Sequence, residues 1–493
     1  MRMRREWAAL AVAVATAAGS VLVGAGSAVA VVPTAAKAAT AAAAPVTHKS
    51  DFNGDGYEDF VTSAPAATIG GKAGAGYVAV VPGGPNGLVT AQRKVISQAT
   101  AGVPGDPGTA DNFGYALATG DFNGDGYDDL AVGTPYDRVG ATPSSGDPGS
   151  VTVLYGSAAG LVKAARTMGT SKHLGIGLTA ADMDGNGRPE VVASEHRVPG
   201  YGGLNRYTVP KGGTALTKTA DSTSWGEYGL AAGDVDGDGK DDVAAQFVAL
   251  GDVPVLSVFH GGKLDDDVAW EPQEWGGADT AMGDLDRDGK AEVVVGRPYS
   301  TRRAEGGDVA VWKGRSTGLT DLATRIITQA TAGVPDIAEE GDRFGDSVAL
   351  GDVNGDGHLD LAVGVPGENS GDVLDTGSVT VLRGSATGIV TATDGVVLTQ
   401  NSAGVPGSSE LQDKFGWTVG LRDYTKDGKA ELAVSATGEN NTDTQQWPYF
   451  GDGAVTVLRG SVTGTTATGA QSLTAATFGV SPAGQPFGWA FAR

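Results

Sequence analysis

Seven stretches of the sequence carry oxygen-bearing side chains at the same offsets: an acid, an acid or amide two and four residues on, Gly, and an acid at the ninth place. Reading the first, third, fifth, seventh and ninth positions, the loops hold Asp51, Asn53, Asp55, Tyr57 and Asp59; Asp121, Asn123, Asp125, Tyr127 and Asp129; and Asp182, Asp184, Asn186, Arg188 and Glu190. They continue with Asp234, Asp236, Asp238, Lys240 and Asp242; Asp284, Asp286, Asp288, Lys290 and Glu292; Asp352, Asn354, Asp356, His358 and Asp360; and Asp423, Thr425, Asp427, Lys429 and Glu431. Oxygens at positions 1, 3 and 5 converge when the chain turns sharply, and Gly at position 6 permits the turn. The seventh residue offers its backbone carbonyl, and the ninth acid closes an all-oxygen shell of the kind Ca²⁺ prefers. Asp/Asn-Gly clusters also make plain Asx turns, and a single copy would mean no more than that. Here, however, positions 1, 3, 5 and 9 together hold 23 carboxylates, which repel one another unless cations lie between them. The expectation is up to seven Ca²⁺ sites, weakest at Asp423, where Thr425 brings no charge.

The residues that follow each loop say what positions it. An EF-hand needs a Glu at position 12, where the second copy has Val132, and no helical period follows. Asp129-Leu130-Ala131-Val132-Gly133 instead reads as a buried strand, so each loop joins two strands. The seven loops begin 50 to 71 residues apart, a spacing that fits one four-stranded antiparallel blade per copy. Phe-Gly stands eight residues before the loop at Phe113-Gly114, Phe344-Gly345 and Phe415-Gly416. Gly-x-Pro ends the second strand at Gly133-Thr134-Pro135, Gly296-Arg297-Pro298 and Gly364-Val365-Pro366. A third strand alternates from a glycine, as in Gly149 to Leu154 and Gly377 to Leu382, and Arg325-Ile326-Ile327 exemplifies the fourth.

This order of Phe-Gly, acidic loop and Gly-x-Pro resembles the FG-GAP repeat of integrin α-subunit propellers and their bacterial secreted relatives, over almost all of residues 50–493. The resemblance implies an all-β, seven-bladed β-propeller. It thins in the middle: the third repeat opens with Leu174-Gly175, the fourth and fifth lack a well-placed Phe-Gly, and Gly-x-Pro is missing after Val192 and Ala244. The first loop has no Phe-Gly strand before it, while the chain finishes Phe487-Gly488-Trp489-Ala490-Phe491-Ala492-Arg493, matching Phe113 to Thr119 in register. The C-terminal strand is therefore expected to complete the first blade and close the ring, which removes exposed sheet edges.

Strand alternation puts the acidic loops and the 3–4 turns on one side of the disc, and the 2–3 and inter-blade segments on the other. The long segments of that second side (136–148, 367–376 and 438–452, with a recurring Gly-Val-Pro) belong to repeats 6, 7, 1 and 2, while repeats 3 to 5 read as trimmed. They form one arc, expected to be the partner-binding surface, with Trp447, Tyr449 and Phe450 as aromatic anchors. The five histidines show no metal-ligand spacing, and no nucleophile elbow, zinc motif or phosphate loop is present. Trp225, Trp270 and Trp275 read as blade packing.

Composition bounds the function class. The absence of cysteine excludes disulfides and thiolate chemistry, and a net charge of −23 argues against nucleic acid and anionic membranes. Residues 1–30 read as a signal peptide: Arg2, Arg4 and Arg5, an uncharged Ala/Val run, then Ala28-Val29-Ala30. Residues 31–46 read as an Ala-rich disordered linker and residues 47–493 as the propeller. The favoured reading is a secreted calcium-binding module for an extracellular protein or glycan, without membrane insertion after signal cleavage. The alternative is a secreted polysaccharide lyase or hydrolase on a calcium-stabilised propeller.

Overall fold

The computed structural model describes residues 49–138, 147–169, 173–198, 201–221, 227–249, 253–262, 266–269, 279–300, 306–390, 395–440, 451–481 and 486–492. These form seven four-stranded antiparallel blades in a ring, a seven-bladed β-propeller with almost no helix. Among the described residues no helix is long and apolar enough to cross a membrane. In blade 2 the strands run Leu117–Gly120, Asp129–Thr134, Ser150–Tyr155 and Lys163–Met168, in spatial order. Blades 3 to 7 repeat the arrangement with inner strands at Leu178–Ala181, Glu227–Gly233, Asp279–Gly283, Val348–Gly351 and Phe415–Arg422.

Blade 1 has only Phe60–Ala64, Tyr77–Val81 and Lys94–Ile96 from its own stretch of sequence. Its inner position is filled by the chain's last residues. Phe491 pairs antiparallel with Thr62, Gly488 and Trp489 donate to the Ser63 carbonyl, and Ala492 donates to that of Val61. The register is the expected one, since Leu117 pairs with Val132 in blade 2 three residues beyond its ninth-position acid, as Thr62 lies beyond Asp59.

Strands alternate so that both faces of each blade are apolar, and the core is divided among the blade interfaces. One cluster joins blade 7 to blade 1 through Tyr424, Val455 and Leu473 against Phe60, Tyr77 and Phe491. The next joins Val61, Val78 and Ile96 to Leu117, Leu130 and Leu154, and five further clusters continue around the ring. The second residue of every acidic loop (Phe52, Phe122, Met183, Val235, Leu285, Val353 and Tyr424) is buried in these layers. The loops are therefore tethered to the core at their base.

The Phe-Gly pairs mostly precede the first strand rather than open it, because they serve to seat one blade on the next. Phe113, Leu174, Phe344, Phe415 and Phe487 are almost fully buried. Their backbones lie against the glycine that leads the previous third strand, as in the parallel bridges Gly149 to Leu174 and Gly377 to Phe415. A Cβ on Gly377 would fall on the Phe415 carbonyl, and its φ is +79°. Gly371 also has positive φ, +61°, but open space around it. Gly377→Ala is therefore expected to cost several times the roughly 1 kcal/mol of an ordinary positive-φ substitution, and Gly371→Ala only that ordinary cost. Calorimetric melting of the two variants checks the difference, and equal midpoints would refute the seating role.

The trimming of the second side is narrower than the sequence suggests. In blades 3 and 4 the middle strands lengthen into near-continuous hairpins, Glu190–Val198 with Tyr201–Thr208 and Asp242–Ala249 with Val253–Phe259. Blade 5 is not trimmed: residues 298–307 separate Glu292–Arg297 from Asp308–Trp312.

Candidate functional site

The acidic loops join the first and second strands of all seven blades, on one face, as expected. Each is built the same way. Asp51 Oδ1 accepts from the amide of Asp55 and Oδ2 from that of Gly56; Asn53 Oδ1 accepts from Asp55 and Asp55 Oδ1 from Tyr57. The positive φ of Gly56, 86°, is what lets this turn form. The same ladder recurs at Asp121, Asp182, Asp234, Asp284, Asp352 and Asp423. The ninth-position acid bridges two elements. Asp59 accepts from Phe52 within its own loop and from Gly83 at the end of the third strand. Asp129, Asp242 and Asp360 do the same with Gly156, Gly261 and Gly384.

These acids are buried among like charges. Burial first, then Asp51 and Asp55, raise Asp59 to about 7, against the pull of its two amide donors. Burial and neighbouring loop acids likewise raise Asp129 and Glu190 to about 8, and Glu292 and Glu431 to about 7. Ligand-capable oxygens of Asp234, Asp236 and Asp238 lie within 4.8 Å of one another, as do those of Asp284, Asp286 and Glu292. Asp286 Oδ1, Glu292 Oε1 and Glu431 Oε2 are buried with no hydrogen-bond partner. Unsatisfied carboxylate oxygens that converge with negative neighbours are what a hard cation would complete. The donor set fits Ca²⁺.

The loops are not equivalent, for a reason sequence spacing did not reveal. The residue at the exit of the third strand points back at the loop. It is Lys313 in blade 5, where Nζ pairs with Asp286 and lies 3.2 Å from Asp288. It is Arg459 in blade 7, 3.9 Å from Glu431, and His260 in blade 4, 3.4 Å from Asp242 and 3.7 Å from Asp236. The histidines show no metal-ligand spacing in the sequence, and His260 comes to Asp236 and Asp242 only through the fold. In blade 6 the same place holds Arg383, whose charge helps hold Asp356 below the usual carboxylate range. An internal cation competes for the same oxygens, so the loops at Asp51 and Asp121, with Pro82 and Tyr155 at that place, are the most open acidic cages. Thr425 in the last loop donates its hydroxyl to Glu431 and Asp423 and brings no charge where the other loops have an acid or an amide.

Neighbouring loops are also stitched together. The eighth residue, assigned no role by the spacing, is Asp128 in the second loop and accepts from the amide of Asp51 in the first. Asp241 does the same for Asp182, and Glu58 pairs with Arg422 of blade 7 at 3.1 Å. The seventh residue lends its side chain to the preceding loop as well. A Cβ on Gly54 would meet the Tyr127 ring at 2.7 Å, and Lys240 and Lys290 cover Gly185 and Gly237 similarly. Ordering one loop thus constrains the next.

On the opposite face an aromatic strip crosses blade boundaries. Trp417 and Trp489 rings lie 6.1 Å apart, Trp489 and Tyr115 5.7 Å, Tyr115 and Tyr136 6.3 Å, and Tyr136 and His173 4.9 Å. Arg343 lies over both Trp417 and Tyr299, at 5.1 and 5.5 Å. Trp417, Trp489 and Tyr115 are half-buried and each directly follows a Phe-Gly pair, so the sequence itself carries the signal for this strip. The strip falls in the arc of blades 6, 7, 1 and 2 expected to bind a partner. Trp447, Tyr449 and Phe450, the anchors expected there, lie outside the described residues, as do Trp225, Trp270 and Trp275.

A closed ring of seven blades with an acidic turn at every first hairpin defines a β-propeller with one acidic loop per blade. Five of its repeats are FG-GAP repeats: the FG-GAP family model matches residues 48–81, 113–154, 276–312, 344–382 and 415–458, which are blades 1, 2, 5, 6 and 7. The chain is an FG-GAP propeller related to integrin α subunits. It is 34% identical over 191 residues to phosphatidylinositol-glycan-specific phospholipase D of Rattus norvegicus, covering 36% of this chain and 22% of that protein. It is 28% identical over 301 residues to integrin alpha pat-2 of Caenorhabditis elegans (56% and 19%), and 32% over 169 residues to integrin alpha-PS2 of Drosophila melanogaster (30% and 11%). The chain spans about a fifth of the length of the first of these relatives.

Proposed function

We propose that the protein is a secreted, calcium-binding FG-GAP propeller that acts as an extracellular interaction module for a protein or glycan ligand. Calcium in the acidic loops stiffens one face, and the long-segment arc of the other presents the ligand site. The observation that carries the reading is the strip from Trp417 through Trp489 and Tyr115 to Tyr136, exposed enough for contact and mounted on the three buried seating residues Phe415, Phe487 and Phe113. Aromatic rings beside a cationic group such as Arg343 supply large contact area at low entropic cost, for a sugar face or a protein side chain alike. The kinship with integrin α subunits supports an adhesive role for this segment, and residues 1–30 remain the export signal in this reading.

The test uses arrays of glycans and of purified extracellular proteins, probed with the full chain in calcium. Trp417→Ala/Trp489→Ala is expected to weaken binding to the captured spots by at least about tenfold, since hot-spot aromatics cost 2 kcal/mol or more. Its melting temperature should fall only slightly, because both rings are half-buried. Undiminished binding by the double variant would refute the site. Release of reducing ends from a bound glycan would refute the binding-only role in favour of an enzyme.

A further inference from the structure

The face opposite the acidic loops carries a second recurring frame of polar side chains. It consists of a Gln just after one blade's fourth strand, an Asp before the next Phe-Gly, and an acid in that next blade's 2–3 segment. The members are Gln98, Asp111 and Asp137 in blade 2, Gln329, Asp342 and Glu368 in blade 6, and Gln400, Asp413 and Glu439 in blade 7. In all three the Gln amide reaches the acid of the 2–3 segment: Gln98 to Asp137 at 3.5 Å, Gln329 to Glu368 at 3.2 Å, and Gln400 to Glu439. The Asp takes an amide from three residues back, as Gly108 to Asp111 and Glu339 to Asp342, both at 2.7 Å.

Blade 2 contains its own counter-ion. Arg166 Nη1 lies 2.8 Å from Asp137 Oδ2, and Ser150 Oγ donates to the same carboxylate at 2.7 Å. Arg166 stands opposite Thr152 in the strand register. The equivalent threonine of blade 6, Thr380, stands opposite Val397, and Thr456 of blade 7 stands opposite Ser472. The guanidinium is therefore absent from the matching place in both blades. Blade 6 adds acid instead of removing it. Glu339 joins Asp342 and Glu368 with ligand-capable oxygens all within 4.8 Å of one another. Asp336 sits at φ 110° where blades 2 and 7 have Gly105 and Gly407 at 101° and 104°. A Cβ on Gly105 would run into the Arg166 guanidinium and lie 3.4 Å from Gln98 Nε2. A left-handed Asp is strained, and this one carries a carboxylate toward the place that blade 2 gives to a cation.

Two oxygens of the blade 6 frame are buried without a partner: Asp342 Oδ1, on a residue 0% exposed, and Gln329 Oε1, on one 2% exposed. Buried carboxylates without a counter-charge are costly, and evolution of a fold usually pairs or metallates them. We propose that Asp342, Glu368, Glu339 and Gln329 form a divalent-cation site of the calcium class in blade 6, in which the metal replaces the guanidinium that Arg166 supplies in blade 2. The ligands are carboxylates and an amide oxygen, all hard donors with no nitrogen or sulfur among them. The site is separate from the acidic loops, at the other end of the same blade. It ties the inter-blade segment after blade 5 to the 2–3 segment of blade 6, on the face that holds the aromatic strip.

The experiment uses the full chain and calcium alone, reading hydrogen exchange by mass spectrometry together with calcium stoichiometry from equilibrium dialysis. With calcium at about 100 times Kd, amide exchange in a peptide covering residues 336–345 should slow by about a hundredfold. Glu368→Gln should abolish that response and lower the stoichiometry by one, while the response of a peptide covering the loop at Asp352 persists. Val397→Arg, which restores the blade 2 arrangement, should slow exchange in 336–345 with or without calcium and also remove one equivalent. If the loop at Asp352 responds to calcium while residues 336–345 do not, or if Glu368→Gln binds as many calcium ions as the unaltered chain, the site does not exist. If neither peptide responds, this proposal and calcium binding by the loops both fall.

Discussion

Removing divalent metal with a chelator is expected to lower the unfolding temperature by about 5 °C and to reverse the response of stability to pH. The first effect follows from mass action. A site held at about 100 times its Kd stabilises the native state by about 2.7 kcal/mol. The loops at Asp51 and Asp121 have the uncharged Pro82 and Tyr155 at the third-strand exit, and two such sites sum to about 5 kcal/mol. At roughly 2 cal/mol/K per residue, a propeller of this size loses about 1 degree per kcal/mol. The second effect follows from the buried acids. In the metal-free chain Asp59 titrates at about 7 and Asp129 and Glu190 at about 8, raised first by burial and then by neighbouring carboxylates. These folded values lie above the unfolded ones, about 4. The native state therefore holds more protons between about pH 4 and pH 8, and the contribution, full below pH 4, is lost as pH rises through 7 to 8. Metal-free protein should thus gain stability on going from pH 8 to pH 5. The calcium-saturated protein should lose it, because protons compete with the metal for the same oxygens. Scanning calorimetry at both pH values, with and without calcium, measures all four midpoints. Identical midpoints and pH trends in the two states would reduce the loops to ordinary hairpin bends.

That prediction rests on features the sequence displayed openly, since acids at fixed offsets reveal both a loop and its repeat. The closing strand was equally legible, because Phe487-Gly488 repeats a motif that blade 1 lacks. What the spacing could not reveal were contacts between repeats. Asp128 looks like a spare acid until the second loop is set beside the first, where it accepts the Asp51 amide. Lys313, His260 and Arg459 lie 18 to 28 residues beyond the loop acids they approach, and only the antiparallel turn of the third strand brings them back. The aromatic strip is assembled from the ends of the chain and its middle, with Trp489 between Tyr115 and Trp417. No local pattern encodes that adjacency; ring closure does. Blade 5 shows the converse failure. Its second-side segment read as trimmed, but residues 298–307 separate Glu292–Arg297 from Asp308–Trp312, two strands buried along their whole length.

Deleting residues 486–493 is expected to be the most damaging change to the folded state, because ring closure depends on that one strand. Phe487 is fully buried and Phe491 is 5% exposed. Phe491 packs edge-on to Phe60 at 5.3 Å, and Phe487 lies 5.3 Å from Phe478. Each ring is worth about 3–5 kcal/mol by the cost of Phe→Ala in a core, so the truncation forfeits at least about 6–10 kcal/mol before its backbone bonds to Val61 and Ser63 are counted. By the scale above, the melting temperature should drop by about 6–10 °C or more. The damage also has a specific character. Without the inner strand, Phe60–Ala64 becomes an edge with unpaired amides and carbonyls on a fully buried stretch, FVTSA, and exposed apolar edges recruit other chains. Light scattering during gel filtration should therefore show dimers or larger species in the truncated protein. Phe491→Ala, which keeps the backbone pairing, should melt about 3–5 °C lower yet stay monomeric. The pair of variants separates a closed ring from an open array of repeats. In an open array the last eight residues would be a terminal fray, and the truncated chain would melt with the intact one and run at the same mass.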